Sequence, residues 1–352
     1  QGAWAQDCVV FLWKFQLPLV AETFMRVSLA SFGAVAASAG DSLPILVMGD
    51  WGGDEHKPYT TKGEISTAEG LEKVAASTGA KIGLALGDNF YHTGVTCVTD
   101  KRFDETFENV FTGEHLSADS GFRFKVLAGN HDHYGNVSAQ VAYSEVNKRW
   151  VFPDLYHTFT ETAPDGATVQ FVMIDTVVLS GNSQTTDDGE NQLPGDQLPG
   201  PENVELAHSQ MKWIEETLKS SSADYIVVAG HYPVESICEH GPTSQLQKDV
   251  VPLLKKYGVA AYLSGHDHCQ EHIDVGDGVQ YHVIGSAHEC DSSTSHKHTI
   301  SKHALKFYAC SNGGFGKLIV RKSGLSIVHF DAHGNELYTA PHIAPRSLEI
   351  AV

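Results

Sequence analysis

Positive charge is scarce in this chain of 352 residues: 24 lysines and arginines stand against 43 aspartates and glutamates, giving a formal charge of −19. That balance excludes generic binding to nucleic acid or to anionic membranes, both of which call for clustered Lys and Arg. The scarcity is also uneven, since Val151 through Met211 contains no Lys or Arg at all. Trypsin-like proteases therefore find no peptide bond to recognise there. A membrane span is missing from the N-terminal region as well. Its apolar stretch Val27 to Ala36 falls short of the ~20 residues that a crossing helix needs. Cysteines number six: Cys8, Cys97, Cys238, Cys269, Cys290 and Cys310.

What is present is a chain with 41% hydrophobic residues, enough to bury a substantial core as one large domain or two ordinary ones. Residues 1–24 carry a short apolar run broken by Lys14 and Pro18 and are read as an upstream segment outside the fold. Residues 25–39 resemble a signal peptide: Met25-Arg26, an apolar core, then Ala37-Ser38-Ala39 as an A-x-A cleavage site. The expectation is a single domain over 40–352 in a secreted or lysosomal protein, with Asn136-Val137-Ser138 as the N-glycosylation sequon. Cleavage after Ala39 would leave five cysteines, so at least one thiol is expected to be free or paired with another chain. A Cys290–Cys310 pairing would staple the loop that holds His296, His298 and His303, a loop read as solvated.

One grammar recurs along the chain. An apolar run is closed by Gly and followed by a metal-ligand type of residue at Met48-Gly49-Asp50, Leu86-Gly87-Asp88, Ala128-Gly129-Asn130, Ala229-Gly230-His231 and Ser264-Gly265-His266. Runs such as Ile82 to Leu86 read as buried parallel strands, and the carboxyl ends of such strands open onto the ligand crevice. Between them, Ser66-Thr67-Ala68-Glu69 reads as a capping box for a helix carrying Leu71, Val74 and Ala75. Phe103, Phe107, Val110 and Phe111 read as a core-packing helix face. Ala207, Met211, Ile214 and Leu218 predict another helix, and Leu246, Val250, Leu253 and Leu254 a further one. Val169 to Ile174 is a strand whose following Asp175 reads as a turn or capping residue. Residues 181–203, rich in Gly, Pro, Asp and Asn, predict a long exposed loop. The alternation, with a β-rich end after Val279, argues for an α/β sandwich of mixed sheets.

Asp50, Asp88, Tyr91, Asn130, His231, His266 and His268 supply seven ligand-type side chains, enough for two ions with Asp88 as a shared bridge. Phenolate is a hard ligand that favours Fe(III), whereas the Asn and His set suits a divalent ion such as Fe, Zn or Mn. Such a centre attracts phosphate despite the acidic body of the protein, generates hydroxide and polarises phosphorus oxygens.

The blocks GDWGG, GDNFYHTG, GNHDHYGN, AGHYP and GHDH resemble the five metal-binding blocks of the purple acid phosphatases, most closely the small animal tartrate-resistant or uteroferrin type, over roughly residues 43 to 340. The resemblance implies the metallophosphoesterase fold, a four-layer α/β/β/α sandwich of two mixed β-sheets. It implies phosphate monoester hydrolysis at acidic pH by metal-bound hydroxide. Asp50, Asp88, Tyr91 and His268 would hold Fe(III); Asp88, Asn130, His231 and His266 would hold the divalent ion. His131 and His240 match family positions that face the substrate, as proton donor, phosphate ligand or orienting group. The wider class carries D-x-H in its first block; here Gly52 takes the His position and Tyr91 supplies the compensating ligand.

Expected partners are phosphate monoesters, small molecules or phosphoproteins, acted on by a monomer. At the loop 181–203 an activating cut, if any, would come from a protease such as a cathepsin. Departures are Ser180 and Gln245 where the family's loop disulfide is expected, His92 for a usual Phe, and Cys269 where Asn commonly follows His268. The competing readings are an iron-binding protein with little turnover and a colourless metallophosphoesterase acting as protein phosphatase or phosphodiesterase.

Overall fold

A computed structural model describes residues 40–183 and 193–347. The upstream segment 1–24, the signal-peptide expectation for 25–39 and part of the loop 181–203 lie outside the described residues.

In chain order the strands are β1 (Leu43–Met48), β2 (Ile82–Leu86), β3 (Arg123–Leu127), β4 (Trp150–Val151), β5 (His157–Thr162), β6 (Thr168–Met173), β7 (Tyr225–Ala229), β8 (Ala261–Ser264), β9 (Gln270–Ile273), β10 (Gln280–Ile284), β11 (Leu305–Ala309), β12 (Gly314–Arg321), β13 (Gly324–Asp331) and β14 (Glu336–Thr339). The α-helices are α1 (Lys62–Thr78), α2 (Asn130–Tyr134), α3 (Val137–Tyr143), α4 (Thr176–Ser180), α5 (Val204–Ser220), α6 (Ser244–Asp249) and α7 (Val251–Lys256).

Two seven-stranded sheets result, ordered β14-β13-β12-β1-β2-β3-β4 and β11-β9-β10-β8-β7-β6-β5. Both are mixed: β1 to β4 pair in parallel while β12 to β14 run antiparallel, and β6, β7, β8 and β10 pair in parallel with antiparallel neighbours at each side. The side-chain period of two explains the layering. In β1, Ile45 and Val47 face a core shared with Phe171, Met173, Val227 and Ala229 of the other sheet. Leu46 and Met48 face the opposite way, toward Leu71, Val74 and Ala75 of α1. On the second sheet, Ile226 and Val228 turn outward onto Ile214 and Leu218 of α5. Helix, sheet, sheet and helix are therefore stacked, as the resemblance implies. Leu84 is fully buried at the middle of β2, within this shared core, and truncating such a residue to Ala costs about 2 to 5 kcal/mol.

Three local expectations change. The capping box of α1 lies one turn earlier, with Thr61 and Glu64 bonding reciprocally, and Ser66 to Glu69 is helix interior. The start is fixed by contact, since Gly63 passes so near the carbonyl of His288 that a Cβ there would stand 2.0 Å from it. The helix expected over Leu246 to Leu254 is two short ones, α6 and α7, because Pro252 has no N–H to continue the first. Phe103–Glu108 forms a wide π-type turn, and Phe103, Phe107 and Phe111 still join the aromatic core around Trp51 and Trp150. Asp175 caps α4 by accepting from Val178 N at 2.9 Å.

The Cys290–Cys310 bridge is formed, and a second joins Cys238 to Cys269. No described cysteine of the uncleaved chain is free. Where the loop disulfide was missed from the sequence pattern, Ser180 is fully buried at the end of α4 and Gln245 lies in α6.

Candidate metal centre

Strands β1, β2 and β3 deliver Asp50, Asp88 and Asn130 at their carboxyl ends; β7 and β8 deliver His231 and His266. The two sheets are stitched together at this point. His266 N donates to Asp50 Oδ2 at 2.8 Å, and His231 Nδ1 lies 2.9 Å from the carbonyl of Leu86. Asp50, Asp88 and His266 all adopt left-handed backbone, with φ of 56°, 49° and 69°. Each such residue costs about 1 to 3 kcal/mol and persists only where its surroundings over-determine it. Here these backbones bring Asp50 to the Tyr91 and His268 side chains and Asp88 and His266 to that of His231.

Two glycines make room. A Cβ at Gly129 would stand 2.2 Å from Asp88 Oδ1. A Cβ at Gly52 would stand 2.5 Å from Phe90 N, while Gly52 O accepts from Tyr91 N at 3.1 Å. The segment bearing Tyr91 therefore runs directly over the position where the wider class has histidine.

The seven side chains fall into two groups. In the first, the Tyr91 hydroxyl donates to Asp50 Oδ1 at 3.1 Å and lies 2.9 Å from His268 Nε2. In the second, Asp88 Oδ2 is 3.3 Å from His231 Nε2, which is 3.1 Å from Asn130 Oδ1. His266 completes this group, because ligand atoms of Asp88, His231 and His266 all lie within 4.8 Å of one another. Its Nε2 is buried and has no hydrogen-bond partner. A buried, unpaired imidazole lone pair beside a carboxylate is costly unless a cation takes it.

The electrostatics agree. Burial would lower the pKa of His268, yet Asp50 and Glu289 push it up to about 10. Burial likewise opposes protonation of His231, yet Asp88 pushes it up to about 9. Both carboxylate groups thus draw positive charge into the site, and protons stand where metal cations would. Burial drives the Tyr91 pKa well above 10, with Asp50 and Asp88 adding to it, so a phenolate forms here only beside a strong cation. The donor set fits two ions.

His131 and His240 border the centre. His131 Nδ1 lies 2.6 Å from the His92 carbonyl, which leaves Nε2 facing Asp88 Oδ2 at 4.0 Å. The His240 ring stacks on His266 with centroids 4.2 Å apart. Burial lowers the pKa of both, against the pull of Asp88 on the first and Asp267 on the second.

Sequence reasoning missed the supporting residues. Asp132 accepts from Asn89 Nδ2, Gly129 N and Gln140 Nε2 at 3.1, 2.8 and 2.7 Å, locking the β2 and β3 ends together. Arg102 holds the carbonyls of Gly52 and Tyr91 at 2.7 and 2.5 Å. His288 packs its ring 4.3 Å from that of Tyr91 and places Nδ1 2.9 Å from the Asp50 carbonyl; Glu289 lies 3.5 Å from His268 Nδ1. A signal existed for this pair: Val283-Ile284-Gly285-Ser286-Ala287-His288 is a sixth apolar run closed by Gly. Only the two-residue delay hid it.

Two sheets with carboxylates and imidazoles gathered at their strand ends define a metallophosphoesterase. The model of the calcineurin-like phosphoesterase family matches residues 43–270. Type 5 tartrate-resistant acid phosphatase of Oryctolagus cuniculus is 43% identical over 307 residues, covering 86% of this chain and 91% of that protein. The Homo sapiens protein of that name is 40% identical over 309 residues, covering 87% and 92%. The chain belongs to the calcineurin-like phosphoesterase family, in its tartrate-resistant acid phosphatase branch. Among solved structures, GAP50, described as the anchor in the inner membrane complex of Plasmodium, superposes with a TM-score of 0.73 at 22% identity over 88% of this chain and 90% of that one. That likeness concerns the fold alone.

Proposed function

We propose that this chain is a purple acid phosphatase that hydrolyses phosphate monoesters with a binuclear metal centre. In this reading Asp50, Asp88, Tyr91 and His268 would hold Fe(III), while Asp88, Asn130, His231 and His266 would hold a divalent ion, Fe, Zn or Mn. The observation that carries it is the division of the seven side chains into two contact groups, one built around a phenol and one around an unpartnered imidazole nitrogen. When bound, the ions supply positive charge to the phosphate oxygens and lower the pKa of the attacking water.

The chain's own residues do the rest. Fixed hydrogen bonds to Leu86 O and His92 O orient the rings of His231 and His131, so neither reorganises as substrate enters. His131 and His240 approach the centre from separate elements, α2 and the loop after β7. One serves the leaving alcohol as proton donor and the other binds the phosphate. The acidic body repels anions at long range, so productive binding depends on this buried centre.

Secretion or delivery to a lysosome accompanies this reading. It rests on the signal-like sequence 25–39, and no described helix is long and apolar enough to cross a membrane. Asn136 is exposed at the N-terminus of α3, accessible as a glycosylation site. A protease of non-tryptic specificity is the proposed agent for any cut in the loop 181–203.

One purification tests the whole reading. Metal content, visible spectrum and phosphomonoesterase rate against pH are measured on the same sample; two metals, colour and an acid optimum are expected. Two metals and turnover without colour would favour the colourless phosphoesterase, and colour without turnover the iron-binding protein.

A further inference from the structure

Cys269, which stands where Asn commonly follows the last ligand, meets Cys238 beside the site. Cys269 directly follows His268, and Cys238 stands two residues before His240; their bridge joins the loop after β7 to the loop after β8. Both are buried, with exposures of 1% and 0%. Hydrogen bonds run between the same two loops. Asp267 accepts from His240 N at 2.7 Å, from Gly241 N at 3.2 Å and from the Ser236 hydroxyl. Against the bridge lies Glu271, whose Oε1 is 2.7 Å from Cys238 Sγ and 3.6 Å from Cys269 Sγ and accepts from Ile237 N at 3.2 Å. The disulfide sulfurs have no proton to give, so this carboxyl meets them as a neutral acid, as burial favours.

We propose that Cys238 and Cys269 are positioning residues for hydrolysis: their bridge fixes His240 relative to the metal-binding loop. The His240 ring is set by its stack on His266 and by its backbone. That backbone is tied to the Asp267 loop by hydrogen bonds and, two residues upstream, by a covalent link. A displacement of about 1 Å at a reacting group is worth up to about 100-fold in rate, and freeing this backbone permits one. The bridge also replaces the Asn that would otherwise follow His268 with a tether that a side-chain amide cannot supply.

This inference rests on His240 acting in turnover, and the test separates the two. The double variant Cys238→Ala/Cys269→Ser is compared with the parent enzyme, each also carrying His240→Ala, on an alkyl phosphate and on a nitrophenyl phosphate. Loss of the bridge is expected to lower kcat about 10- to 100-fold on the alkyl ester, with KM, metal content and visible band unchanged. In the His240→Ala background the same loss should shrink to less than about 2-fold, because nothing remains to be positioned. An equal loss in both backgrounds, or metal loss in step with rate, would overturn the proposal and leave the bridge a fold staple. Full activity in His240→Ala alone would instead overturn the reading beneath it. If the double variant does not accumulate, Cys269→Asn gives the same cycle with Cys238 left as a thiol.

Discussion

The hydroxyl oxygen of Tyr91 lies 2.9 Å from Nε2 of His268, although 177 positions separate them in sequence. Asp50 closes the group, and burial keeps the phenol protonated unless a strong cation replaces its proton. Tyr91→Phe is therefore expected to abolish the visible charge-transfer band while iron still binds through Asp50, Asp88 and His268. Absorption spectra and iron content of the same preparations check it. A wild type fully loaded with iron yet colourless would remove Tyr91 from the ligand set.

Asp88 and Asn130 should differ in stoichiometry. Asp88 Oδ2 faces His231, and its other oxygen accepts from His131 N at 3.0 Å, whereas the Asn130 side chain bonds to His231 and Tyr134. Asp88→Ala is expected to lose both metals and Asn130→Ala mainly the divalent one. Metal analysis after dialysis reads this directly; loss of the same single metal in both variants would rule out Asp88 as a bridge.

Much of this centre was legible because both ends of a parallel strand are constrained. An apolar run must be buried on two faces, and the Gly that follows marks where the backbone turns and packs tightly. Ile82 to Leu86 followed by Gly87-Asp88 carried all of that information locally. The capping of α1 was less legible. Thr61-Lys62-Gly63-Glu64 and Ser66-Thr67-Ala68-Glu69 both satisfy the local chemistry, and the close approach to His288, more than two hundred residues away, decides between them. Cys238–Cys269 was hidden for the same reason. A pairing across two loops depends on sheet order, which spacing in one chain does not encode.

The loop 181–203 is expected to restrain the enzyme, and its described end gives the restraint a route. Gly195 N donates to the His240 carbonyl at 2.7 Å, and Ser244 N donates back to Gly195 O at 3.3 Å. Asp196 stands exposed beside them, with further carboxylates in the same acidic stretch. Deleting residues 184–200 removes both the contact and the charge. Higher turnover or an optimum moved upward in pH is expected, measured as rate against pH; an unchanged profile would show the loop to be a solvated insertion.

Stability should fall in the acid range where the enzyme works, and His157 is one identifiable cause. Its ring lies in β5 with the rings of Phe152 and Phe159 each 6.4 Å away. Burial pushes its pKa down to about 4, with Asp154 opposing and Lys125 adding to the shift. Above the unfolded value of about 6.5 neither folded nor unfolded chain binds this proton, and the group leaves stability untouched. Between about 6.5 and 4 the unfolded chain takes up the proton and the folded chain does not. Stability then drops by up to about 1.4 kcal/mol per pH unit, approaching about 3 kcal/mol in all. Below about 4 the folded state protonates too and the loss stops growing. His157→Phe keeps an aromatic ring between its neighbours and removes the titration. Denaturant unfolding of both proteins at steps from pH 7 to 4 should show the variant gaining on the wild type as pH falls, with the gap opening below about 6.5. A gap that stays constant across that range would mean that His157 is protonated, or equally solvated, in both states.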